Sequence, residues 1–348
     1  MTHPSSSPTA ARVFLSEARL AELAARIARD VEPTAGAYRA LLAEAEKCLQ
    51  REPHVPDYWF VPGYYGDPEG HRESKGVLEG DANAAYTLAL AYRMSGEERY
   101  ADQALRLVNA WATSLTDTDF RQDSTLSFSY HFPALLFAAD LLRGHPRWTA
   151  EEQRTWELFL RDVALPLNCM DRQNNWGNWG LLLVCAVGAY LDDDSLLASG
   201  AERWKEFIAA QIAEDGHLTH EVGRNNGTGD HGLWYSHFSL MPQTLAAEIL
   251  RLRGIDLFDY AAPNGRTLRM AYERLTPWAR RPETFPYYQG DVSRLGGARY
   301  VSYYEILNPR WPNADAQAML ETLRPLTATH SAPHLTFTHG EPLKEAAG

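Results

Sequence analysis

Apolar residues recur at intervals of three and four along most of the chain, the spacing that places them on one face of an α-helix. The clearest stripe runs from Ala101 to Leu115, where seven apolar side chains follow this spacing. Gly96 and Gly254 each follow a periodic segment and are typical helix stops. The same pattern predicts helices within residues 16–27, 81–94, 198–213, 241–253, 266–279 and 313–323.

Two further helices are indicated by signals other than periodicity. Thr149 and Glu152 have the spacing of a capping box, which predicts a helix that begins after Thr149 and contains Trp156 and Phe159. Residues 177–191 are almost all apolar, as expected of a helix that is buried on every side.

The two ends of the chain differ from this helical body. Residues 1–12 are polar and rich in Ser and Pro, which predicts a flexible arm. Residues 281–348 are rich in Pro, Tyr and Thr. They predict a loop-rich tail with a few short strands, for example at 300–304, beside the helix within 313–323.

Roughly ten or more helices without an obvious flexible linker predict an all-α protein in which helical hairpins form a closed or horseshoe-like array. We therefore expect one domain over residues 13–348, with the tail packed on it. A helical repeat scaffold is the alternative, because residues 84–112 loosely resemble a tetratricopeptide unit. No self-similarity recurs at about 34 residues, the period that this architecture requires.

Composition argues against several classes of protein. Of 348 residues, 45% are hydrophobic and 22% are charged, which is unlike a disordered chain. The net charge of −12 is unfavourable for binding nucleic acids, which requires Lys and Arg opposite phosphates. No apolar run reaches the roughly 18 residues of a membrane span, and three dispersed cysteines do not suggest a disulfide framework. Because no secretory signal is recognisable at the start, we expect a cytoplasmic protein, or a secreted one whose signal is missing from this sequence.

Two polar segments are not explained by helix packing. Residues 173–179 contain three Asn and two Trp directly before the buried apolar helix. Capping of that helix by Asn174 or Asn175, with Trp packing, would explain this composition without any function. The functional alternative is an amide donor beside aromatic platforms.

The second segment, residues 215–237, joins two predicted helices through a long, Gly-rich loop. Loops of this length within a domain are often functional, and this one holds four His, one Arg and one Tyr. A metal bound by these His side chains is one alternative, but no His-Glu-x-x-His motif supports it. The chain also lacks a Gly-x-Ser-x-Gly elbow and the glycine motifs that bind phosphates or dinucleotides.

These segments resemble the alginate lyase family of uronate-specific polysaccharide lyases. The resemblance covers roughly residues 13–280 and includes the phrase Leu-Ser-Phe-Ser-Tyr-His at 126–131. Family members carry Asn-Asn-His-x-x-Trp at a helix start, where this chain has Asn-Asn-Trp-Gly-Asn-Trp at 174–179. Downstream they carry Asp-Gly-Ser, then a Glu, an Arg and a Tyr that opens a helix. The matching residues here are Asp215, Gly216, Glu221, Arg224 and Tyr235.

The resemblance implies an (α/α) toroid fold. It also implies an enzyme that cleaves a uronate polymer by β-elimination, without a metal or another cofactor. It implies that Asn175 and Arg224 neutralise the substrate carboxylate. It also implies that Tyr235 is the catalytic acid, and in one version of the mechanism also the base.

The chain departs from the family at one catalytic position. Trp176 stands where alginate lyases keep a catalytic His. Chondroitin-type toroidal lyases also have Asn-Asn-Trp there and take a His from the later segment. We therefore expect His231 in this role, with His237 as the second choice and His131 as a further candidate.

Elementary chemistry favours the same residue types. Removing the C5 proton of a uronate is difficult because the adjacent carboxylate already carries a negative charge. An Arg and an amide can disperse that charge through hydrogen bonds, which are strongest in a partly dry site. A Tyr has a pKa of about 10, so it acts as a base only beside a cationic group.

Several side chains near these segments are expected to contact the sugar rings, and core packing is the alternative for each. Tyr288 is expected to lie where the tail closes over the cleft. The other predicted contacts are Asn174, Trp176, Trp179, Trp234, Tyr130, His131, Tyr64 and Tyr65.

We therefore predict a lyase that acts on an anionic, 1,4-linked uronate polymer or oligomer, with poly-mannuronate (alginate) and glucuronan as leading substrates. No nucleic acid or membrane partner is expected. A glycoside hydrolase on the same toroid is the second hypothesis. It needs two carboxylates about 5–9.5 Å apart, for which Asp215, Glu221 and Asp230 are available. A non-catalytic carbohydrate-binding scaffold is the third.

Overall fold

The computed structural model describes residues 13–224, 229–295, 300–328 and 330–343. The predicted N-terminal arm, residues 1–12, lies outside these ranges. Within them, two-residue strands β1 (Tyr58–Trp59) and β2 (Asp117–Thr118) pair in parallel. The helices are α1 (Glu17–Ala28), α2 (Thr34–Cys48), α3 (Pro68–Ser95), α4 (Glu98–Ser114), α5 (Ser124–Leu141), α6 (Ala150–Phe159), α7 (Asn175–Leu191), α8 (Asp194–Gln211), α9 (Gly232–Leu252), α10 (Leu268–Arg280), α11 (Tyr304–Arg310), α12 (Ala314–Leu323) and α13 (Leu335–His339).

Helices α3, α5, α7 and α9 form an inner wall in which each packs on the next. Side chains in the first two turns of α5, α7 and α9 contact one another across this wall. The Trp179 ring lies 5.8 Å from the Tyr130 ring and 5.0 Å from the Phe238 ring, measured between centroids. Contacts at matching heights require that these helices run parallel and begin at the same end of the molecule.

Outer helices return the chain between successive inner helices. Helix α4 packs on α3, α8 on α7 and α10 on α9. Each pair is an antiparallel hairpin, and the hairpins stand side by side around the wall. The arrangement is the predicted all-α, incomplete (α/α) toroid.

Local sequence signals fix several helix ends. The Asp67 side chain accepts a hydrogen bond from the Gly70 amide, and Pro68 occupies the first position of α3. This helix ends at Gly96, whose φ of 72° is readily adopted only by glycine. The predicted capping box of Thr149 and Glu152 is confirmed at the start of α6.

Two segments differ from the prediction. Helix α9 begins at Gly232, nine residues before the predicted segment 241–253, because even its polar residues are buried inside the wall. Residues 300–304 form a turn that leads into α11, so the predicted strand is wrong. Adjacent Tyr303 and Tyr304 are both fully buried, whereas a half-buried strand would alternate between buried and exposed residues.

The inner wall forms the apolar centre of the protein. Every residue of α5 is buried, and α7 is buried over nearly its whole length. Across the described ranges, no helix combines the length and the apolar character needed to span a membrane.

Candidate active site

Most connections between helices are longer at one end of the toroid than at the other. Loops 49–67, 115–123, 165–174, 212–231 and 281–303 lead to the N-termini of α3, α5, α7, α9 and α11. Connections at the opposite end cover residues 96–97, 142–149, 192–193 and 253–267. The polar loops therefore gather where the inner helices begin, and helix N-termini carry partial positive charge.

Hydrogen bonds join these loops into one rim. The Tyr64 amide donates to an Asp123 carboxylate oxygen at 2.9 Å, which links the loops before α3 and α5. The hydroxyl oxygens of Tyr65 and Tyr235 lie 3.1 Å apart, which links the loop before α3 to the first turn of α9. Residues that are 170 positions apart in the chain thus meet at one place.

The loop before α9 presents a short helical turn to this rim. An antiparallel bridge between Ile212 and Leu218 starts the turn, and the Arg224 amide donates to the Glu221 carbonyl at 3.0 Å. Gly229 has a φ of 77°, and a β-carbon there would lie 2.1 Å from the Tyr287 carbonyl oxygen. Only glycine fits this close approach, so the loop glycines shape the backbone and need not bind phosphate.

Tyr235 lies at the centre of the rim. The central carbon of the Arg224 guanidinium lies 4.5 Å from the Tyr235 ring centroid. Burial and the hydrogen bond with Tyr65 raise the pKa of the Tyr235 hydroxyl, and the charge of Arg224 opposes this effect. The resting Tyr235 is therefore protonated and able to donate a proton.

Asn175, the first residue of α7, is fully buried and bound to a carboxylate. Its backbone amide donates to Glu221 Oε1 at 2.8 Å. Its side-chain Nδ2 lies 3.0 Å from both Glu221 oxygens. Burial raises the pKa of the Glu221 carboxyl, whereas the Arg224 charge and the Asn175 hydrogen bonds lower it.

Arg224 is held only loosely by Glu221. Its Nε lies 3.7 Å from Glu221 Oε2, beyond hydrogen-bond distance, and makes no hydrogen bond with the described residues. About 29% of the Arg224 side chain is exposed. Nε itself is buried, so an anion can approach only the exposed part of this side chain.

His231 and Trp234 complete the cluster around Tyr235. The His231 ring lies 5.6 Å from the Trp234 ring and 6.4 Å from the Tyr235 ring, between centroids. His231 Nδ1 has no hydrogen-bond partner in the described part of the chain. Trp234 also contacts Tyr64, so its half-buried ring borders the same rim.

The structure corrects the prediction for His237 and for three predicted sugar contacts. His237 is fully buried, and its Nδ1 lies 2.8 Å from the Tyr303 hydroxyl. Burial lowers the pKa of His237 to about 3, which does not suit a base in an open cleft. Trp179, Tyr130 and His131 are buried within the inner wall, so none of them offers a ring face to a sugar.

Tyr65 is exposed, and the remaining predicted contacts are half-buried. The Asn174 side-chain oxygen caps α7 by accepting from the Trp176 amide at 3.2 Å, which agrees with the capping interpretation. The Trp176 ring lies 5.8 Å from the Arg172 guanidinium. Contact of Asn174, Trp176 or Tyr288 with substrate remains a prediction.

No sequence signal points to His330, which belongs to the tail. Its ring stacks on His131 with centroids 5.3 Å apart, and it also contacts Tyr130 and Tyr300. No motif surrounds His330 in the sequence, so only the fold brings it beneath the rim. Within the described ranges, no three His, Cys, Asp or Glu side chains converge as metal ligands.

Structural comparison finds the same fold in alginate lyases. A tyrosine-to-phenylalanine variant of alginate lyase A1-III complexed with tetrasaccharide matches with a TM-score of 0.76 and 20% identity, over 99% of this chain and 100% of that chain. Alginate lyase A1-III from Sphingomonas species A1 matches with a TM-score of 0.74 and 20% identity, over 98% and 100% of the two chains. An alginate lyase from Bacteroides ovatus matches with a TM-score of 0.72 and 19% identity, over 94% and 99%.

Sequence comparison identifies the family. A polysaccharide lyase from Stenotrophomonas maltophilia (strain K279a) is 27% identical over 292 residues, which cover 77% of this chain and 85% of that protein. The family model for alginate lyase matches residues 26–285, most of the chain and all of the candidate site except part of the tail. This chain therefore belongs to the alginate lyase family and is a polysaccharide lyase.

Proposed function

We propose that this lyase cleaves a 1,4-linked uronate polymer or oligomer, poly-mannuronate (alginate) or glucuronan, and leaves a 4,5-unsaturated uronate at the new end. One observation carries the proposal: the guanidinium of Arg224, a partly exposed side chain, lies over the ring of the protonated Tyr235. A cation for the substrate carboxylate and an acid for the leaving oxygen are thus adjacent. Two neighbours in the structural comparison were solved with a tetrasaccharide, which supports a saccharide substrate.

In the proposed reaction, Arg224 and the Asn175 amide bind the carboxylate at C5. A base removes the C5 proton, and the electron pair forms the C4–C5 double bond as the C4–O bond breaks. Tyr235 donates its proton to the departing oxygen. Charge that develops on the carboxylate is stabilised most where donors are fixed and water is excluded.

His231 is the proposed base. It is the half-buried imidazole closest to Tyr235, and its Nδ1 makes no hydrogen bond with the described residues. Tyr235 itself is the second candidate, since Arg224 favours its ionised form. Burial opposes that form more strongly, which favours a division of the two steps between His231 and Tyr235.

Three features of the rim suit an anionic polymer. The inner helices direct their N-termini toward it, and helix N-termini attract anions. The aromatic rings of Tyr64, Tyr65 and Trp234 lie beside Tyr235 and can pack on sugar faces. Arg224 adds a full positive charge.

The three acids of the hydrolase hypothesis are engaged elsewhere. Glu221 is buried and bound to Asn175, and Asp230 is buried within 3.1 Å of an Arg294 nitrogen. Burial alone would raise the pKa of Asp215, but hydrogen bonds from Arg274 and His217 lower it to about 2. Burial raises the pKa of Glu221, as a hydrolase requires of its general acid, but both Glu221 oxygens already accept from Asn175. The three acids therefore offer no pair of free carboxyl groups for hydrolysis, which favours elimination.

An ultraviolet assay tests the proposal. The protein is incubated with poly-mannuronate, poly-guluronate, glucuronan and glycosaminoglycans, with and without chelator. We expect absorbance from the new double bond to rise with poly-mannuronate or glucuronan, and equally with chelator. New reducing ends without this absorbance would establish hydrolysis instead.

Exchange at C5 distinguishes the two candidate bases. In deuterated water, Tyr235→Phe is expected to incorporate deuterium at C5 of an oligouronate without cleaving it, because His231 still removes the proton. His231→Gln is expected to lose both exchange and cleavage. Loss of exchange in Tyr235→Phe would make Tyr235 the base.

A further inference from the structure

Glu221 is a buried carboxylate that contacts both proposed carboxylate-binding residues. It is 1% exposed, receives three hydrogen-bond contacts from Asn175 and lies 3.7 Å from Arg224 Nε. Burying an ionisable group is costly unless its partners compensate. The Glu221 carboxylate nevertheless contacts Asn175 and lies close to Arg224, the two residues that bind the substrate carboxylate in the proposed function.

The contacts of Glu221 fix the direction of the Asn175 amide. A carboxylate accepts hydrogen bonds and does not donate them, so it binds the Nδ2 side of the amide and repels the Oδ1 side. Both Glu221 oxygens are 3.0 Å from the same Nδ2. Two oxygens of one carboxylate are too close together to engage two N–H bonds that diverge widely. One N–H therefore serves both oxygens. The second N–H, like the buried Oδ1, has no partner among the residues that the structure describes.

We propose that Glu221 is a positioning residue that locks the Asn175 side-chain amide with one N–H held and the other presented to the substrate carboxylate. The role rests on the proposed function, in which Asn175 binds that carboxylate. An amide that could rotate by half a turn would offer its oxygen instead, and this oxygen would repel the substrate. Glu221 removes that alternative orientation.

A kinetic comparison of matched variants tests this role. Glu221→Gln keeps the shape but introduces an NH2 group that can face Asn175 Oδ1, so the Asn175 amide is free to reverse. We expect kcat to fall at least about tenfold with a smaller change in KM, because the lost donor acts chiefly in the transition state. Glu221→Asp keeps an acceptor-only group and is expected to recover part of the loss.

A double-mutant cycle separates positioning from direct catalysis. If Glu221 acts through Asn175, then Glu221→Gln should lower kcat by less than about threefold in an Asn175→Ala background. The same loss in both backgrounds would overturn the proposal. Glu248→Gln is the matched control, since Glu248 is also buried and lies three residues before an Arg, but at the other end of α9. Its kcat should stay at the wild-type value.

A spectroscopic measurement on the full-length protein does not depend on activity. With 15N-labelled asparagine, the Asn175 side-chain signals are identified by their loss in Asn175→Ala. We expect these signals to move toward the positions of solvent-exposed amides in Glu221→Gln and to stay in place in Glu248→Gln. Unchanged signals in Glu221→Gln would overturn the role of Glu221. A wild-type protein that releases no unsaturated product from any uronate polymer would instead overturn the proposed function, and the Asn175 signals would still decide the role of Glu221.

Discussion

Two Glu-x-x-Arg pairs lie at opposite ends of α9, and they differ in what the arginine does. At the far end, Arg251 donates two hydrogen bonds to Glu248, at 2.6 and 2.8 Å. At the rim, Arg224 stays 3.7 Å from Glu221. Both carboxylates are buried, and both arginines follow three residues later.

The pKa shifts of the two carboxyls run in opposite directions. Burial alone would raise the pKa of Glu248, but hydrogen bonds from Arg251 and His339 lower it to about 2. Burial also raises the pKa of Glu221, and there the more distant Arg224 and the Asn175 amide do not reverse the effect. One carboxylate is paired closely with its arginine, whereas the other leaves its arginine 3.7 Å away, as the proposed binding of a substrate carboxylate by Arg224 requires.

The largest expected effect is at Tyr235, the residue beneath Arg224. Tyr235→Phe should lower kcat about 10³-fold, because removing a general acid costs 10²–10⁴. Its melting temperature should stay within about 2 °C of wild type, since the ring remains. Ultraviolet progress curves and thermal unfolding measure the two quantities. Near-native activity would remove Tyr235 from the mechanism.

Exchanging each arginine for lysine should lower kcat/KM at the rim pair and leave it nearly unchanged at the far pair. Arg224→Lys should lower kcat/KM about 10²-fold, because a lysine cannot bind a carboxylate through two parallel hydrogen bonds. Arg251→Lys should leave kcat/KM within about twofold of wild type, because it is remote from the rim. Equal losses in both variants would contradict the division between a structural and a functional pair.

The free energy of unfolding should depend on the Glu248–Arg251 pair, in contrast to activity, which should depend on Arg224. Glu248→Gln should lower the free energy of unfolding at pH 7 by about 2 kcal/mol, since it breaks a charged and largely buried pair. Because the folded-state pKa of Glu248 is lowered, its contribution is present above the unfolded value of about 4.5 and is lost as the pH falls toward about 2. Denaturant unfolding from pH 7 to pH 3 should therefore show the difference from wild type shrinking.

The smallest expected effect is the change that Glu221→Gln makes in the free energy of unfolding. The raised pKa of Glu221 means that its favourable contribution exists at low pH and is lost as the pH rises through the folded-state value. At pH 7 the substitution should change the free energy of unfolding by less than about 0.5 kcal/mol or increase it. A marked loss of stability would assign Glu221 the same structural role as Glu248.

The sequence predicted the helical body well, because amphipathic outer helices reveal their periodicity. Helices α4, α8 and α10 lie close to their predicted positions. Inner helices show a weaker periodicity in the sequence, because burial on all sides removes the difference between an apolar and a polar face. For this reason periodicity missed the start of α9, although the family resemblance implied that a helix opens near Tyr235.

The same burial limits what can be predicted about the site. Asn175 and Trp179 are both fully buried and lie four residues apart on α7. Asn175 nevertheless binds Glu221 beside Arg224, whereas Trp179 packs against the inner wall. No local pattern distinguishes a residue that faces the cleft from one that faces the next helix.

The end of the toroid opposite the rim offers a practical use. Helix α9 has 21 residues, so its ends are about 30 Å apart. The 253–267 connection follows its far end and includes a turn at Gly265. An enzyme immobilised on a solid support through this turn would turn its rim toward the bulk solution, where a long, viscous polymer chain can approach from any direction.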